Sequence, residues 1–360
     1  MGDRLRVGVA GGGIGGQHVA SFQALPDLFD VTVICDTVEE RARHLAEAFG
    51  IPRVVTDFES LCRLDDLDVI DICTPSSLHV EQTQQALAAG KHVICEKPVA
   101  GSLQGIDTLI KAEAESGQHV MPVFQYRYGH GIQKLKHLQR AGLTGKAYLT
   151  TVETSWRRRA EYFAEQPWRG QWQAAWGGVL VTQALHAHDL LCYVLGPVKS
   201  VMAHMSTRVN PVEVEDCVAA SLEMADGSLA TLAATLGSPA QISRHRFCFA
   251  GLTAESNTGA YSNSSDPWTF TGDTPEIDAQ IEAVLAGFSP LLEGFAGQFY
   301  RFYYALTCGK DLPVTLADAR ASVELLTALY ASASTGQAVT LPIGTDHPRY
   351  AGWQPVPPTR

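Results

Sequence analysis

LRVGVAGGGIGG, residues 5–16, decides the fold. Leu5–Ala10 is a short apolar run that reads as a buried strand. Gly11, Gly13 and Gly16 follow it in G-x-G-x-x-G spacing, and a helical run near 14–25 comes next. The first glycine permits a tight turn, the second lets backbone approach a pyrophosphate, and the third lets helix and strand pack closely. Amides at the helix start, that of Ile14 among them, then face the phosphates. Asp36 ends the next strand, 31–35, twenty positions past Gly16. A carboxylate there accepts hydrogen bonds from the adenosine ribose and repels a 2′-phosphate. Thr37 and Val38 supply no cation beside it, although Arg41 lies one turn on. The pattern predicts a dinucleotide site that takes NAD in preference to NADP.

The alternation continues outward. Strand signals at 53–55, 69–73, 92–97 and 119–124 alternate with helical runs at 38–49, 78–89 and 102–116. This is the rhythm of a doubly wound parallel sheet. After Phe124 the character changes. A helix near 130–141 and a strand near 146–155 lead into an irregular segment, 156–176, rich in aromatics and arginine. A helix near 183–195 follows. The runs VKSVMAHMS, DCVAASLEM, SLATLAATL and ISRHRFCFA then come in series, separated by turns such as Ala225-Asp226-Gly227. They predict an antiparallel sheet. Helices are expected near 292–308 and 316–335, and an extended Pro-rich tail over 346–360. The fold class is therefore α/β: a Rossmann domain over 1–125 and a second α/β domain over 126–360.

Bulk properties narrow the function. With 360 residues the chain is long enough for two cores, and 46% hydrophobic with 18% charged residues is ordinary for a globular protein. A net charge of −11 disfavours nonspecific nucleic-acid binding, which needs Lys and Arg to displace counterions. No run reaches the roughly twenty apolar residues of a membrane span. The N-terminus lacks the form of a signal peptide, and Met1-Gly2 leads straight into a strand, which argues against lipidation. The eight cysteines form no C-x-x-C pair, and Cys35, Cys73 and Cys95 sit in or beside apolar runs. Reduced, buried thiols in a cytoplasmic protein are expected, in place of disulfides or a metal site.

Three stretches of the first half, VGVAGGGIGGQH, CTPSSLH at 73–79 and AGKHVICEKPVA at 89–100, resemble the glucose–fructose oxidoreductase / inositol dehydrogenase / rhizopine-catabolism (Gfo/Idh/MocA) family. Glu96-Lys97-Pro98 is the most specific part. GGVLVTQALHAHDLL at 177–191 and ASASTGQAVTLP at 331–342 extend the resemblance through the second half. It implies a Rossmann domain followed by an α/β domain with an open, mostly antiparallel sheet, and an active site between them. It also implies a homodimer or homotetramer joined through the open sheets. The activity implied is NAD-dependent hydride transfer between nicotinamide and a hydroxyl-bearing carbon of a sugar, cyclitol or sugar derivative.

Residue by residue, the resemblance makes Lys97 and His186 the catalytic pair. Lys97 follows a parallel strand, whose carboxyl end faces the ligand crevice. Its ammonium can stabilise a developing alkoxide, and the neutral amine can accept the hydroxyl proton. His186 supplies a second acid–base group whose ordinary pKa lies near working pH. Asp189, three residues on along the same helix, is expected to orient the imidazole. Thr74, Pro75, His79 and Glu96 match the family's cofactor side, and Lys97 reaches that side as well. Tyr126 and Arg127 follow the sixth strand, where the family presents groups to the substrate. In the segment SWRRRAEYF…PWRGQW, Arg157, Tyr162, Trp168 and Arg169 suit a polyhydroxylated ring, with aromatic faces for C–H surface and guanidiniums for hydroxyls or a carboxylate.

The chain departs from the family at one point. Inositol dehydrogenase-like members carry an aspartate four residues before the histidine, where this chain has Thr182 and then Gln183. That weakens any transfer of inositol specificity, and both residues are expected near the substrate. His186, His188 and Asp189 do not read as a metal site, because helical residues two apart point to different faces. Two other readings stand beside the dehydrogenase. One is a redox-neutral, NAD-dependent glycoside-cleaving or epimerising enzyme. The other is a dinucleotide-sensing regulator, against which the retention of Lys97 with His186 argues.

Overall fold

The computed structural model describes residues 4–354. Met1-Gly2 and the last part of the expected tail lie outside the described residues.

The first half alternates as the sequence requires: β1 (Leu5–Ala10), α1 (Gly15–Gln23), β2 (Phe29–Cys35), α2 (Glu39–Phe49), β3 (Arg53–Val55), α3 (Phe58–Cys62), β4 (Val69–Ile72), α4 (His79–Ala88), β5 (His92–Cys95), α5 (Leu103–Ser116) and β6 (Val120–Pro122). The second half runs α6 (His130–Arg140), β7 (Ala147–Arg157), α7 (Ala160–Glu165), α8 (Trp172–Ala175), α9 (Val179–Thr182), α10 (Leu185–Leu195), β8 (Val198–Ser206), β9 (Cys217–Met224), β10 (Leu229–Thr235), β11 (Gly237–Phe249), β12 (Leu252–Glu255), β13 (Thr269–Gly272), α11 (Pro275–Ala286), α12 (Gly294–Cys308), α13 (Leu316–Thr335) and β14 (Val339–Thr340). The chain divides into two compact units, residues 4–124 with 295–323, and residues 125–294 with 324–354.

In the first unit six parallel strands lie in the order β3-β2-β1-β4-β5-β6. The order reverses between β1 and β4, the switch point where such sheets bind ligands beyond their carboxyl ends. Val7, Val9, Val33, Ile34, Ile70, Ile72, Val93 and Ile94 are all wholly buried. Helices cover both faces of the sheet, so these strands read as apolar runs without alternation. Cys35, Cys73 and Cys95 are buried there too, in or just past β2, β4 and β5.

Residues 295–323 group with this unit, although they follow the second sheet in sequence. Aromatic packing explains it. Phe299 of α12 stacks on Phe22 of α1 at 4.2 Å, and Tyr303 meets Phe29 edge-on at 5.8 Å. Gln298 clasps the end of β6: its Nε2 donates to the Pro122 carbonyl at 2.7 Å and its Oε1 accepts from the Phe124 amide at 3.0 Å. Arg320 of α13 pairs with Asp107 of α5 at 2.7 Å. Contacts between segments so distant in sequence leave no periodic mark on the chain.

The second unit is built on an eight-stranded sheet ordered β13-β12-β11-β7-β10-β9-β8-β14. All its pairs are antiparallel except β7 with β10. Along β10, Ala230, Leu232 and Ala234 are buried while Leu229, Thr231 and Ala233 are exposed. That alternation marks a sheet packed on one face only. The helix expected near 183–195 is α10, and a separate short helix, α9, precedes it. α9 ends at Thr182 and α10 starts at Leu185, and the segments 172–182 and 185–195 are bent by 53°. The Thr182 hydroxyl donates back to the Gly178 carbonyl at 2.7 Å, a local bond that competes with helix continuation. α3, α7, α8, α9 and α11 had no counterpart in the sequence reading.

Candidate functional site

At the coenzyme end of the first unit, each glycine of the turn does what its spacing requires. Gly11 has φ +102, and a Cβ there would sit 2.5 Å from the Cys73 carbonyl oxygen. Gly13 has nothing within 4 Å of its missing Cβ, which is room for a phosphate to reach the backbone. A Cβ on Gly16 would come 3.3 Å from Leu45 of α2, so small size serves packing there. Ile14 caps α1 with no side-chain hydrogen bond, so no side chain covers the helix's first amides. These features fit a dinucleotide diphosphate.

Asp36 is fixed before any ligand arrives. Its Oδ2 accepts the Gly12 amide at 2.8 Å and its Oδ1 accepts the Val38 amide at 2.9 Å. Arg41 lies 3.2 Å from Oδ2, so its charge is engaged by the carboxylate that would repel a 2′-phosphate. Ile14, Val38 and Leu78 are large apolar side chains left exposed on the loops after β1, β2 and β4, a surface suited to the coenzyme's flat rings. Val38 and Leu78 carried no motif and were not expected.

Lys97 follows β5 and is half-buried. Desolvation lowers its pKa from the ordinary 10.5, and the Glu96 charge opposes that shift. Glu96 and His79 hold the backbone around it. Glu96 Oε2 accepts the Lys97 amide at 3.0 Å. His79 is buried, with Nδ1 2.8 Å from the Pro98 carbonyl and Nε2 2.9 Å from the Thr74 carbonyl. It therefore ties the Thr74–Pro75 loop to the Lys97–Pro98 turn. Burial lowers its pKa, and the two carbonyls only partly offset that. The Thr74 hydroxyl donates to Gln82 at 2.5 Å. In this arrangement His79 and Glu96 are positioning groups.

Behind Glu96 lies a cluster that the sequence reading missed. His18 of α1 is fully buried, with Nδ1 2.9 Å from Asp71 Oδ2 and 3.3 Å from Cys73 Sγ, and Nε2 3.1 Å from Glu96 Oε1. The Phe295 and Phe299 rings lie 4.4 and 5.3 Å from the imidazole. Burial alone would lower the pKa of His18, but the Asp71 charge and hydrogen bonds outweigh it, and the ring is held well above 6.5. A doubly protonated ring donating to a carboxylate on each side satisfies all three groups. His18 and Asp71 stood in quoted strand and helix runs, but only the fold brings them together.

In the second unit, His186 opens α10 and stacks on Tyr126 at 4.6 Å, interplanar 17°. Asp189 was expected to orient His186. Instead its carboxylate faces Arg127, with Nε to Oδ2 at 2.9 Å and Nη2 to Oδ1 at 2.6 Å, both side chains buried. Arg127, expected at the substrate, thus has an internal bidentate partner that pins the start of this unit to α10. The Thr182 hydroxyl is bonded within α9, while Gln183 Nε2 donates to the Tyr162 hydroxyl at 3.1 Å. Arg169 lies over the Tyr162 ring at 4.2 Å, Trp168 donates to Gln166 at 2.6 Å, and Arg157 pairs with Glu161 at 3.1 Å on the exposed rim.

Glu215 sets the entry to α9. Its oxygens accept the Gly178 and Leu180 amides at 2.9 and 3.1 Å, and Tyr330 bonds it as well. Burial pushes its pKa up to about 7. A Cβ on Gly178 would lie 1.7 Å from the Glu215 carbonyl, so only glycine fits there.

A Rossmann sheet with an open glycine turn, a ribose-facing aspartate and a partly desolvated lysine beyond the fifth strand defines an NAD-dependent oxidoreductase. The comparisons agree. The model described as the oxidoreductase family, NAD-binding Rossmann fold (GFO_IDH_MocA), matches residues 5–124, and the GFO/IDH/MocA C-terminal domain matches residues 132–254. The chain belongs to the Gfo/Idh/MocA family.

Among its relatives is levoglucosan dehydrogenase of Pseudarthrobacter phenanthrenivorans, 28% identical over 264 residues, 64% of this chain and 67% of that protein. D-glucoside 3-dehydrogenase of Escherichia coli is 30% identical over 57% of this chain and 59% of its own length. Among solved structures, the WlbA dehydrogenase of Bordetella pertussis in complex with NADH and UDP-GlcNAcA superimposes with a TM-score of 0.84 at 28% identity, covering 95% of this chain and 100% of that one.

Proposed function

We propose that this protein oxidises a hydroxyl-bearing carbon of a sugar or sugar derivative, with Lys97 and His186 serving that hydroxyl. One observation carries the reading. Lys97 stands at the carboxyl edge of the same parallel sheet as the glycine turn, half-buried and with its pKa lowered. Bound NAD supplies the hydride acceptor. Lys97 holds the substrate oxygen and receives or shares its proton, and lowering the amine's pKa brings it toward the range where it can do so. His186, flat against Tyr126, is the second group that holds or passes this proton. The relatives named for levoglucosan and D-glucoside oxidation support a carbohydrate substrate.

The exposed face of the eight-stranded sheet is proposed as a self-association surface. Leu149 and Leu229 are exposed and paired in register on it. Light scattering on the eluted protein reads the assembly size.

The deciding assay follows NADH formation over aldoses, inositols, anhydrosugars and sugar acids, with NAD and NADP in parallel. Net NADH with a free sugar or polyol is expected. Conversion of a glycoside with no net NADH would favour the redox-neutral reading, and no turnover on any compound would contradict both.

A further inference from the structure

The second unit holds positive charge that the protein itself does not neutralise. The chain as a whole is acidic, with 38 Asp and Glu against 27 Lys and Arg. Yet among the described residues no carboxylate lies within ion-pair distance of Arg158 or Arg169, both half-buried. Arg158 donates only to neutral acceptors: the Arg157 carbonyl and Gln241 Oε1, each at 2.8 Å, and the Tyr261 hydroxyl. Arg169 has one long bond, 3.4 Å to the Tyr162 carbonyl. Glu161, the nearest acid in sequence to Arg158, is exposed and paired with Arg157, and Glu165, the nearest to Arg169, is exposed. Arg159 is committed to backbone, the Leu236 and Gly237 carbonyls at 2.8 and 3.1 Å.

Both guanidiniums stand against the same aromatic ring. Arg158 lies 5.2 Å and Arg169 4.2 Å from the centroid of the Tyr162 ring. Two like charges on one ring repel, and partial burial raises the cost of each. A bound anion within reach of both charges would offset both effects. Arginine is also the side chain best shaped for two-point bonds to a carboxylate or phosphate.

This place adjoins the entry to the acid–base helix. The Tyr162 hydroxyl accepts from Gln183, three residues before His186. Arg158 also donates to the hydroxyl of Tyr261, whose ring packs on Trp156 at 4.5 Å.

We propose that Arg158 and Arg169, on the Tyr162 platform, form a subsite for an acidic group on the substrate, so that the preferred substrates are sugars carrying a carboxylate or a phosphate. The proposal rests on the oxidoreductase reading above for its link to turnover, but its binding test does not.

The experiment has two arms. In the first, calorimetry on the NADH-loaded protein compares glucuronate and glucose 6-phosphate with glucose. At least one acidic sugar is expected to bind at least 30-fold more tightly than glucose, with the advantage shrinking between 20 and 300 mM KCl. Carboxylate and phosphate are distinguished by which of the two acids binds. In the second arm, kcat/KM is measured with NAD for the same compounds and their methyl glycosides. Arg158→Met and Arg169→Met should each cut the acidic-to-neutral ratio at least tenfold, chiefly through KM, and Arg169→Lys should restore part of it. Tight acidic-sugar binding without turnover would sink the oxidoreductase reading and leave the subsite standing. NADH formation with neutral sugars at an equal or better kcat/KM, a ratio unmoved by both methionine variants, or no acidic sugar bound at 10 mM would overturn the subsite.

Discussion

The two units of this protein handle charge in opposite ways. In the first unit the buried Asp36 and His18 have protein partners: Asp36 has two amides and Arg41, and His18 stands between Asp71 and Glu96. The anion expected there meets backbone amides at a glycine turn. In the second unit, Arg158 and Arg169 stand beside neutral oxygens and aromatic faces. A site for one invariant coenzyme can be completed in advance by the protein. A site that selects among substrates can leave the complementary charge for the ligand to bring.

The contrast is sharpened first at Lys97. Lys97→Met removes the group proposed to hold the reacting oxygen, and kcat should fall by about 10³-fold or more while NAD still binds within about tenfold of wild type. A loss confined to coenzyme affinity would place Lys97 on the cofactor side alone.

Next is His18. His18→Asn leaves Asp71 and Glu96 buried without the ring between them, and breaking such an arrangement costs roughly 3–5 kcal/mol. Denaturant melts should show that loss, and a nitrogen NMR signal from the wild-type ring should stay doubly protonated well above pH 6.5. A neutral ring at pH 7 would contradict the account of this cluster.

Glu215 gives the third effect, with a defined sign. Its folded pKa, about 7, lies above its ordinary 4.5. The unfolded chain therefore releases this proton first, and the group withdraws stability as pH rises from 4.5 to about 7, on the order of 3 kcal/mol in all. Glu215→Gln should flatten that part of the stability–pH curve. An unchanged slope would show that Glu215 is ionised in the fold.

The smallest effect is at Asp36. Asp36→Ser removes the repulsion toward a 2′-phosphate and releases Arg41. The NAD-to-NADP ratio of kcat/KM should move at least ~30-fold toward NADP, about 2 kcal/mol.

The same contrast governs what was legible in the sequence. The glycine turn, Asp36 and Lys97 are local features, each read from residues within one strand–turn–helix unit, and the Rossmann alternation follows from the apolar runs of a doubly covered sheet. The second unit depends on partners far apart in the chain. Asp189 was assigned to its helical neighbour His186, but Arg127, sixty-two residues earlier, holds it. The break between α9 and α10 depends on Gly178, whose place is set by Glu215, thirty-seven residues away. Periodicity carries no information about such pairs. α12 joins the first unit through aromatic stacking that no spacing rule announces.

The central claim is net hydride transfer from substrate carbon to NAD, and isotope tracing reads it most directly. A substrate found active in the panel is deuterated at the reacting carbon and turned over with unlabelled NAD. The account predicts that the deuterium accumulates at C4 of the reduced nicotinamide, one per oxidised product, with a slowed rate. Deuterium in the solvent or returned to the product, with no labelled reduced coenzyme accumulating, would contradict it.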